Sequence, residues 1–545
     1  PLGILVSSTN SGHACPSVIL PPRTICSNAK ATRPMRGCTT CHPCTKGTRA
    51  NKQHSRPQLA VRPSHPMGTG EQDVDDGLVT QLCHRYYQGL YYTQIQESLL
   101  VVLNPFRPAI DVNSEDILRA YRREFRNTRI TQHHAPLPPH IFRLAHNAYF
   151  YMQRTGQDQC LFFLGETASG KTETRRLAAH ALTGLGAALP GKRGARLSFQ
   201  LPAALYALEC MGRVVTDEND QASSMALYTE LQFSQNGRLV GFKMLNYFLE
   251  SARATVQWDT TSTFHVFHML VHGASAEHAR RWQIMQDTSF RLLEHVHDAK
   301  SMQVNTDAKF SLWLDALSQL GITASQCDAL LDVLAALLHL SNIDFVQDDG
   351  PLCPARVASE EPLYIAAALL GVGASSLANA LTHHTRAVNG QLCTALLDRE
   401  HATKSRDRLM RMLYSQVFAW VNEHINSCFS HEHFDTYIGL MDLPGWRNRV
   451  RNNLDAMAIN FAFDLVHRHL THVMCDRRIG EMDHEGLSHL APLPSATDES
   501  SLLRLFTHFP GGLIHIMDDQ TRRRPRKNSR TMVDAMQRRW VNHRA

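Results

Sequence analysis

Eight consecutive residues, Gly165-Glu166-Thr167-Ala168-Ser169-Gly170-Lys171-Thr172, fit the pattern GxxxxGK[ST]. Each residue type has a chemical reason to be there. Glycines let the backbone amides of a tight turn point inward and form a nest for anions. A helix opening straight after the turn adds the positive end of its dipole. Lys171 is long enough to reach the outer phosphates of a nucleotide, and the Thr172 hydroxyl can ligate Mg²⁺. The pattern alone arises by chance, so its weight rests on context: it must follow a buried strand and open a helix.

The surrounding sequence supplies that context. Cys160-Leu161-Phe162-Phe163-Leu164 is an apolar run of strand length leading into the turn, and a helical segment follows. Upstream, Pro138-Pro139 opens a helix in which Ile141, Phe142, Ala145, Ala148, Tyr149 and Met152 share one face. Leu99-Leu100-Val101-Val102-Leu103, ended by Asn104-Pro105, predicts a second buried strand and its turn, and Leu78 to Tyr87 reads as helix.

Composition narrows the class. The 545 residues are 43% hydrophobic and 19% charged, which is globular rather than collagenous, coiled-coil or wholly disordered. The net charge of +6 conceals three parts. Residues 1–70 carry nine basic and no acidic side chains, residues 521–545 carry nine basic and one acidic, and the body between them is left at −11. That distribution argues against a nucleic-acid-binding coat. No stretch approaches the roughly 18 uncharged apolar residues of a membrane span, so no transmembrane segment is expected. Residues 1–71, rich in Pro, Ser, Thr and basic side chains and poor in periodicity, are expected to be a disordered tail, with the folded body at 72–545. Cys38, Cys41 and Cys44 around His42 have the spacing of zinc ligands, but no second pair follows to close a site. The histidine pairs His133-His134 and His383-His384 and the basic run Arg522 to Lys527 read as ordinary polar surface.

Taken in chain order, several segments resemble the myosin motor domain. The loop 165–172 followed by Glu173 resembles the start of its nucleotide site. Asn104-Pro105-Phe106-Arg107 resembles its adenine-side turn, and Leu249-Glu250-Ser251-Ala252-Arg253 its LEKSR segment. Leu337 to Ile343 is similar to the LLHLGN helix end, Asn460-Phe461 onward to the relay helix (about 452–474), and Gly512 to Gln520 to the later GLLxxLD segment. Within the family, Asp442-Leu443-Pro444-Gly445-Trp446, Phe264 to Leu270 and His515 to Gln520 resemble the motor-like domain at the N-terminus of fungal chitin synthases, the myosin-17 group.

The resemblance implies an α/β fold: a P-loop NTPase-type head with a central, mostly parallel or mixed β-sheet wrapped by many helices. It implies ATP or ADP with Mg²⁺ as ligands, held by Asn104, Pro105, Gly165, Glu166, Thr167, Ala168, Ser169, Gly170, Lys171, Thr172, Glu173 and Asn219, with Thr172 and Ser223 at the metal. Ser223, Asp442 and Gly445 fall on catalytic positions. Actin filaments and a fused or associated chitin synthase are the implied partners. The implied location is cytoplasmic and cytoskeleton-associated, or the cytosolic face of secretory vesicles or plasma membrane if a synthase is fused. Converter, reactive-thiol helix and IQ motif are not recognisable before Ala545, so an incomplete head is expected.

The site departs from the motor pattern, most consequentially at the two positions whose side chains pair to close it. Switch I ends in Arg in motors; here Asn219, Gln221, Ala222, Ser223 and Ser224 occupy the N, N, S, S and R positions. The Glu of switch II, which pairs with that Arg around the attacking water, is Arg447. Arg447 is expected to be solvated, the other reading being a donor aimed at the terminal phosphate. Nucleotide binding without ordinary motor hydrolysis, or a non-catalytic actin- or vesicle-binding tether, are the two functions these substitutions leave.

Overall fold

Short apolar runs flanked by Asn, Gly and Pro make strands when neighbours can bury them, and the two expected at 99–103 and 160–164 do so in one sheet. In the computed structural model the described residues are 4–8, 71–127, 137–187, 192–216, 219–255, 262–285, 288–294, 306–348, 353–388, 391–447, 453–473, 477–487, 499–522 and 529–541. The chain divides into two units, Val18–Leu90 and the remainder. The described part of the first contains one helix, α1 (Glu71–Tyr87).

The second unit is built on a mixed seven-stranded sheet. Its strands are β1 (Ile4–Ser8), β2 (Tyr92–Gln96), β3 (Leu99–Val102), β4 (Gln159–Leu164), β5 (Ala226–Phe233), β6 (Leu239–Tyr247) and β7 (Thr436–Asp442), in the spatial order β2-β3-β1-β4-β7-β5-β6. β4 and β7 run parallel, with Asp442 beside Phe163. β7 and β5 run antiparallel, with Asp442 beside Leu227. That register has a direct consequence: the turn after Leu164, the segment after Asp442 and the segment before Ala226 all emerge at one end of the sheet.

Among the described residues, the segment Ile4–Ser8 departs from the disorder expected of the N-terminal tail. Ile4–Ser8 pairs antiparallel with β3 on one side and β4 on the other. The segment Ile4-Leu5-Val6 is apolar and partly β-branched, and it fills a sheet position that would otherwise leave two edges unpaired. Residues 9–70, including Cys38, Cys41, His42 and Cys44, lie outside the described residues.

Helices cover the sheet. α2 (Ile141–Thr155) buries the predicted face, Ile141, Phe142, Ala145, Ala148, Tyr149 and Met152. Its N-cap His140 accepts from the Phe142 amide at 3.1 Å, and Gly156 closes it at φ 67°. α3 (Lys171–Ala187) starts at the loop lysine. α4 (Lys192–Gly212) buries an apolar stretch interrupted by one charge, Glu209. Farther on come α5 (His265–Gly273), α6 (Thr306–Gln319), α7 (Ala324–Asn342), α8 (Arg399–Phe429) and α9 (Leu454–Thr471). α9 occupies most of the span expected for the relay-like helix, and Phe463 and Leu470 on it join Leu164, Ala226 and Leu443 in a buried cluster against which Trp446 packs. The helix is thereby packed onto the ends of the three strands that frame the site. Among the described residues, no single helix is long and apolar enough to cross a membrane.

Candidate nucleotide site

Between β4 and α3 the loop turns through three left-handed or glycine-type conformations, Gly165 (φ 149°), Ala168 (φ 60°) and Gly170 (φ 92°). Alanine at φ 60° is uncommon. It is held there by the Asn104 side chain, whose Nδ2 donates to the Ala168 carbonyl at 2.7 Å, while Asn104 Oδ1 accepts from the Phe106 amide. Asn104 therefore does a second job that sequence alone does not show: it ties the turn after β3 to the phosphate loop. Ser169 is buried and its hydroxyl donates to the Glu166 carbonyl at 2.7 Å.

A cleft of about 560 Å³ opens above this loop, of the size that takes a nucleotide. Of the predicted residues, Asn104, Thr167, Ala168, Gly170, Lys171, Thr172, Glu173, Asn219, Ser223, Asp442 and Gly445 line it, together with Phe106, Arg176, Arg213 and Arg447. Pro105, Gly165, Glu166 and Ser169 are not in the wall.

Lys171 is buried, and its Nζ donates to the carbonyls of Gly165 (2.9 Å) and Glu166 (2.6 Å). Burial pushes its pKa down to about 8; the Arg447 charge adds to that, whereas Asp442 and Glu166 oppose it. An anionic phosphate above the loop would relieve the desolvation of this cation.

Three oxygens converge beside the lysine. Thr172 Oγ1 donates to Asp442 Oδ2 at 2.9 Å and lies 3.4 Å from Ser223 Oγ. Two hydroxyls and a carboxylate form an all-oxygen donor set that suits Mg²⁺, which prefers one or two protein oxygens with phosphate and water completing its shell. The residues present fit the ion. Gly445 then packs directly on the loop: a Cβ there would meet the Thr167 amide nitrogen, the Glu166 carbonyl carbon at 2.6 Å and the Thr167 Cα at 2.9 Å. Only glycine permits that approach.

Asp442 has a partner the sequence did not reveal. Arg175, with no exposed side-chain surface, donates from Nε to Asp442 Oδ2 at 3.2 Å and from Nη2 to Glu209. Glu209 also takes Arg176 and Arg213, so one buried carboxylate gathers three guanidiniums. The available signal was a single glutamate inside the apolar stretch 201–212.

Of the two substituted switch positions, Arg447 differs from expectation. Ser224 is fully buried and points away from the cleft: its amide and hydroxyl both donate to the Gly212 carbonyl, at 2.9 and 2.7 Å. Arg447 is not solvated, its side chain being 9% exposed. Its Nη1 pairs with Glu250 and its Nη2 donates to the Ser223 carbonyl at 3.1 Å. A guanidinium at the rim of the cleft, withdrawn from water, finds a buried carboxylate within reach, Glu250, which it shares with Arg253.

A glycine-containing turn on the first turn of a helix, flanked by two strand-end loops that bring hydroxyls and a carboxylate to one point, has the geometry expected of a P-loop. The sequence model of the myosin head (motor domain) matches residues 72–545, and the chain belongs to that family. It is 44% identical over 470 residues to chitin synthase 8 of Mycosarcoma maydis, covering 86% of this chain and 23% of that protein. It is 32% identical over 485 residues to chitin synthase 5 of Cryptococcus neoformans var. grubii, covering 86% and 25%. Unconventional myosin IC of Drosophila melanogaster is 26% identical over 475 residues, covering 86% and 44%. The chain thus spans about a quarter of the length of the two chitin synthases.

Proposed function

We propose that this myosin head binds ATP or ADP with Mg²⁺ and hydrolyses ATP far more slowly than a working motor, within a protein that links actin filaments to chitin synthesis. Likeness to two chitin synthases supports the fused or associated synthase, and membership of the myosin head family supports actin as the track. On this reading the cytosolic face of secretory vesicles or plasma membrane is where the module works.

The chain's own groups supply the binding. Thr167, Ala168 and Gly170 of the turn and the first turn of α3 line the cleft where the phosphates would sit, and Lys171 exchanges two carbonyl partners for phosphate oxygens. Thr172, Ser223 and Asp442 hold the metal, whose charge offsets that of the phosphates. Arg175 fixes the Asp442 carboxylate from behind, leaving it oriented toward Thr172.

The observation that carries the slow-hydrolysis reading is the fate of the two switch positions. Phosphoryl transfer depends on placing an attacking water in a closed pocket, and a misplacement of about 1 Å costs on the order of 10²-fold. Position 447 offers a cation paired with Glu250, and position 224 a serine bonded to Gly212, so neither presents the carboxylate or the guanidinium of the motor arrangement. The same two residues favour the second reading, a non-catalytic tether to actin or a vesicle partner. Calorimetry with Mg-nucleotide, paired with actin co-sedimentation with and without ATP, separates the two. Release from actin on adding ATP supports the motor; nucleotide binding without release supports the tether.

A further inference from the structure

The arginine–glutamate pair of working motors is gone, yet the two loops it would join are still held together. Arg447 is the node. Its guanidinium reaches the Glu250 carboxylate through Nη1 and the Ser223 carbonyl through Nη2, at 3.1 Å for the latter. Its backbone is clasped by one side chain of α9: the Arg447 amide donates to Asn460 Oδ1 at 2.8 Å, and Asn460 Nδ2 donates to the Arg447 carbonyl at 2.7 Å. Glu250 is equally constrained. Its Oε2 accepts from Arg253 Nε at 2.7 Å, and its amide donates to the Ser224 carbonyl at 3.1 Å. The two side chains are 9% and 5% exposed. The segment 219–224, the turn 250–253, the loop 442–447 and α9 therefore meet at one buried ion pair.

We propose that Glu250 and Arg447 form a latch that closes the cleft without help from a terminal phosphate, so that nucleoside diphosphate and triphosphate are held alike. The inference rests on the nucleotide-site reading above and adds its specificity. A ligand shifts a conformational equilibrium only as far as its affinities for the two states differ. Where closure waits for a γ-phosphate to bridge two loops, the triphosphate has that advantage. Here the bridge is protein to protein and the guanidinium already has a carboxylate, so the third phosphate adds little to closure. The clasp on Asn460 carries the same consequence to α9, which keeps one position with either nucleotide.

The variant of choice is Arg447→Met. It removes the cation at similar length and leaves Glu250 its second partner, Arg253, so no buried carboxylate is orphaned. Two measurements are made on the whole chain. In the first, Mg-ADP and Mg-ATPγS compete with a fluorescent ADP. The wild type is expected to bind them within about threefold of each other (about 0.7 kcal/mol at 1.4 kcal/mol per tenfold), and Arg447→Met to weaken both. In the second, hydrogen exchange is followed at 219–224 and 442–447 in nucleotide-free protein. These segments are expected to be protected in the wild type and to exchange at least tenfold faster in Arg447→Met. A wild-type preference of a hundredfold for the triphosphate, or unchanged exchange in the variant, overturns the latch. Should the wild type bind neither nucleotide, the site reading falls, and the exchange measurement still decides the latch.

Discussion

Replacing Gly445 by alanine is a small change whose effect follows from geometry. The added Cβ would lie 2.6 Å from the Glu166 carbonyl carbon and 2.9 Å from the Thr167 Cα, and it would also meet the Thr167 amide nitrogen. Every one of these neighbours is backbone, so no flexible side-chain end can swing clear. Restoring an ordinary contact of 3.4 Å requires the two segments to part by roughly 1 Å, an overpacking that costs about 1–3 kcal/mol. One way to part them shifts the loop 165–167 and breaks the bonds of Lys171 to Gly165 and Glu166. The other withdraws 442–447 and carries Arg447 from Glu250. Both spoil the cradle, whereas the β7 ladder that ends at Asp442 stays paired. Gly445→Ala is therefore expected to keep its fold and to bind Mg-ADP about 10- to 100-fold more weakly by calorimetry, with Gly480→Ala, which meets nothing within 4 Å, as the unchanged control. Affinity within twofold of wild type would refute the reasoning.

Other expectations follow from the buried charges. Arg175→Met takes from Asp442 its guanidinium partner, leaving it the Thr172 hydroxyl, and takes one of three cations from Glu209, so chemical denaturation should show a loss of about 3–5 kcal/mol, and a loss below about 1 kcal/mol would contradict the network. In the free protein Lys171 has its pKa lowered to about 8, so it is charged below that pH and must take up a proton to meet phosphate above it. Mg-ADP affinity should hold steady from pH 6.5 to 7.5 and fall by up to about tenfold per unit above 8; a flat profile to pH 9.5 would count against it. Burial pushes His140, His146 and His265 down to about 3 and His268 to about 4, so they stay neutral in the fold while the unfolded chain protonates them below 6.5. Their stabilisation is complete above pH 6.5 and is lost as pH falls: by pH 5.5 about 1.4 kcal/mol each, roughly 6 kcal/mol together. Equal unfolding midpoints at pH 7.5 and 5.5 would contradict this.

Local features of the site were legible in the sequence because they are set by neighbouring residues. The strand Gln159–Leu164, the turn and the helix from Lys171 each announce themselves by an apolar run, glycines and a periodic face. The convergence of Asp442 on Thr172 was reachable only through family resemblance, since 270 residues separate them. What stayed hidden were pairings fixed by the sheet register. Arg447 and Glu250 are 197 residues apart and Arg175 and Asp442 are 267 apart, and no spacing rule links either pair. The expectation of a solvated Arg447 followed average arginine behaviour, which a nearby buried carboxylate overrides. Ile4–Ser8 was missed for a similar reason: five residues of strand character have no meaning until two strands with free edges are in place on either side.

The account stands on nucleotide being held but not turned over at motor speed. Phosphate release from Mg-ATP with and without actin filaments, on protein first shown by calorimetry to bind Mg-ADP in a Lys171-dependent way, measures that directly. The expected result is one-site binding, lost in Lys171→Ala, with turnover well below 1 per second and little change on adding actin. Turnover above roughly 1 per second, the range of ordinary enzymes, would contradict it.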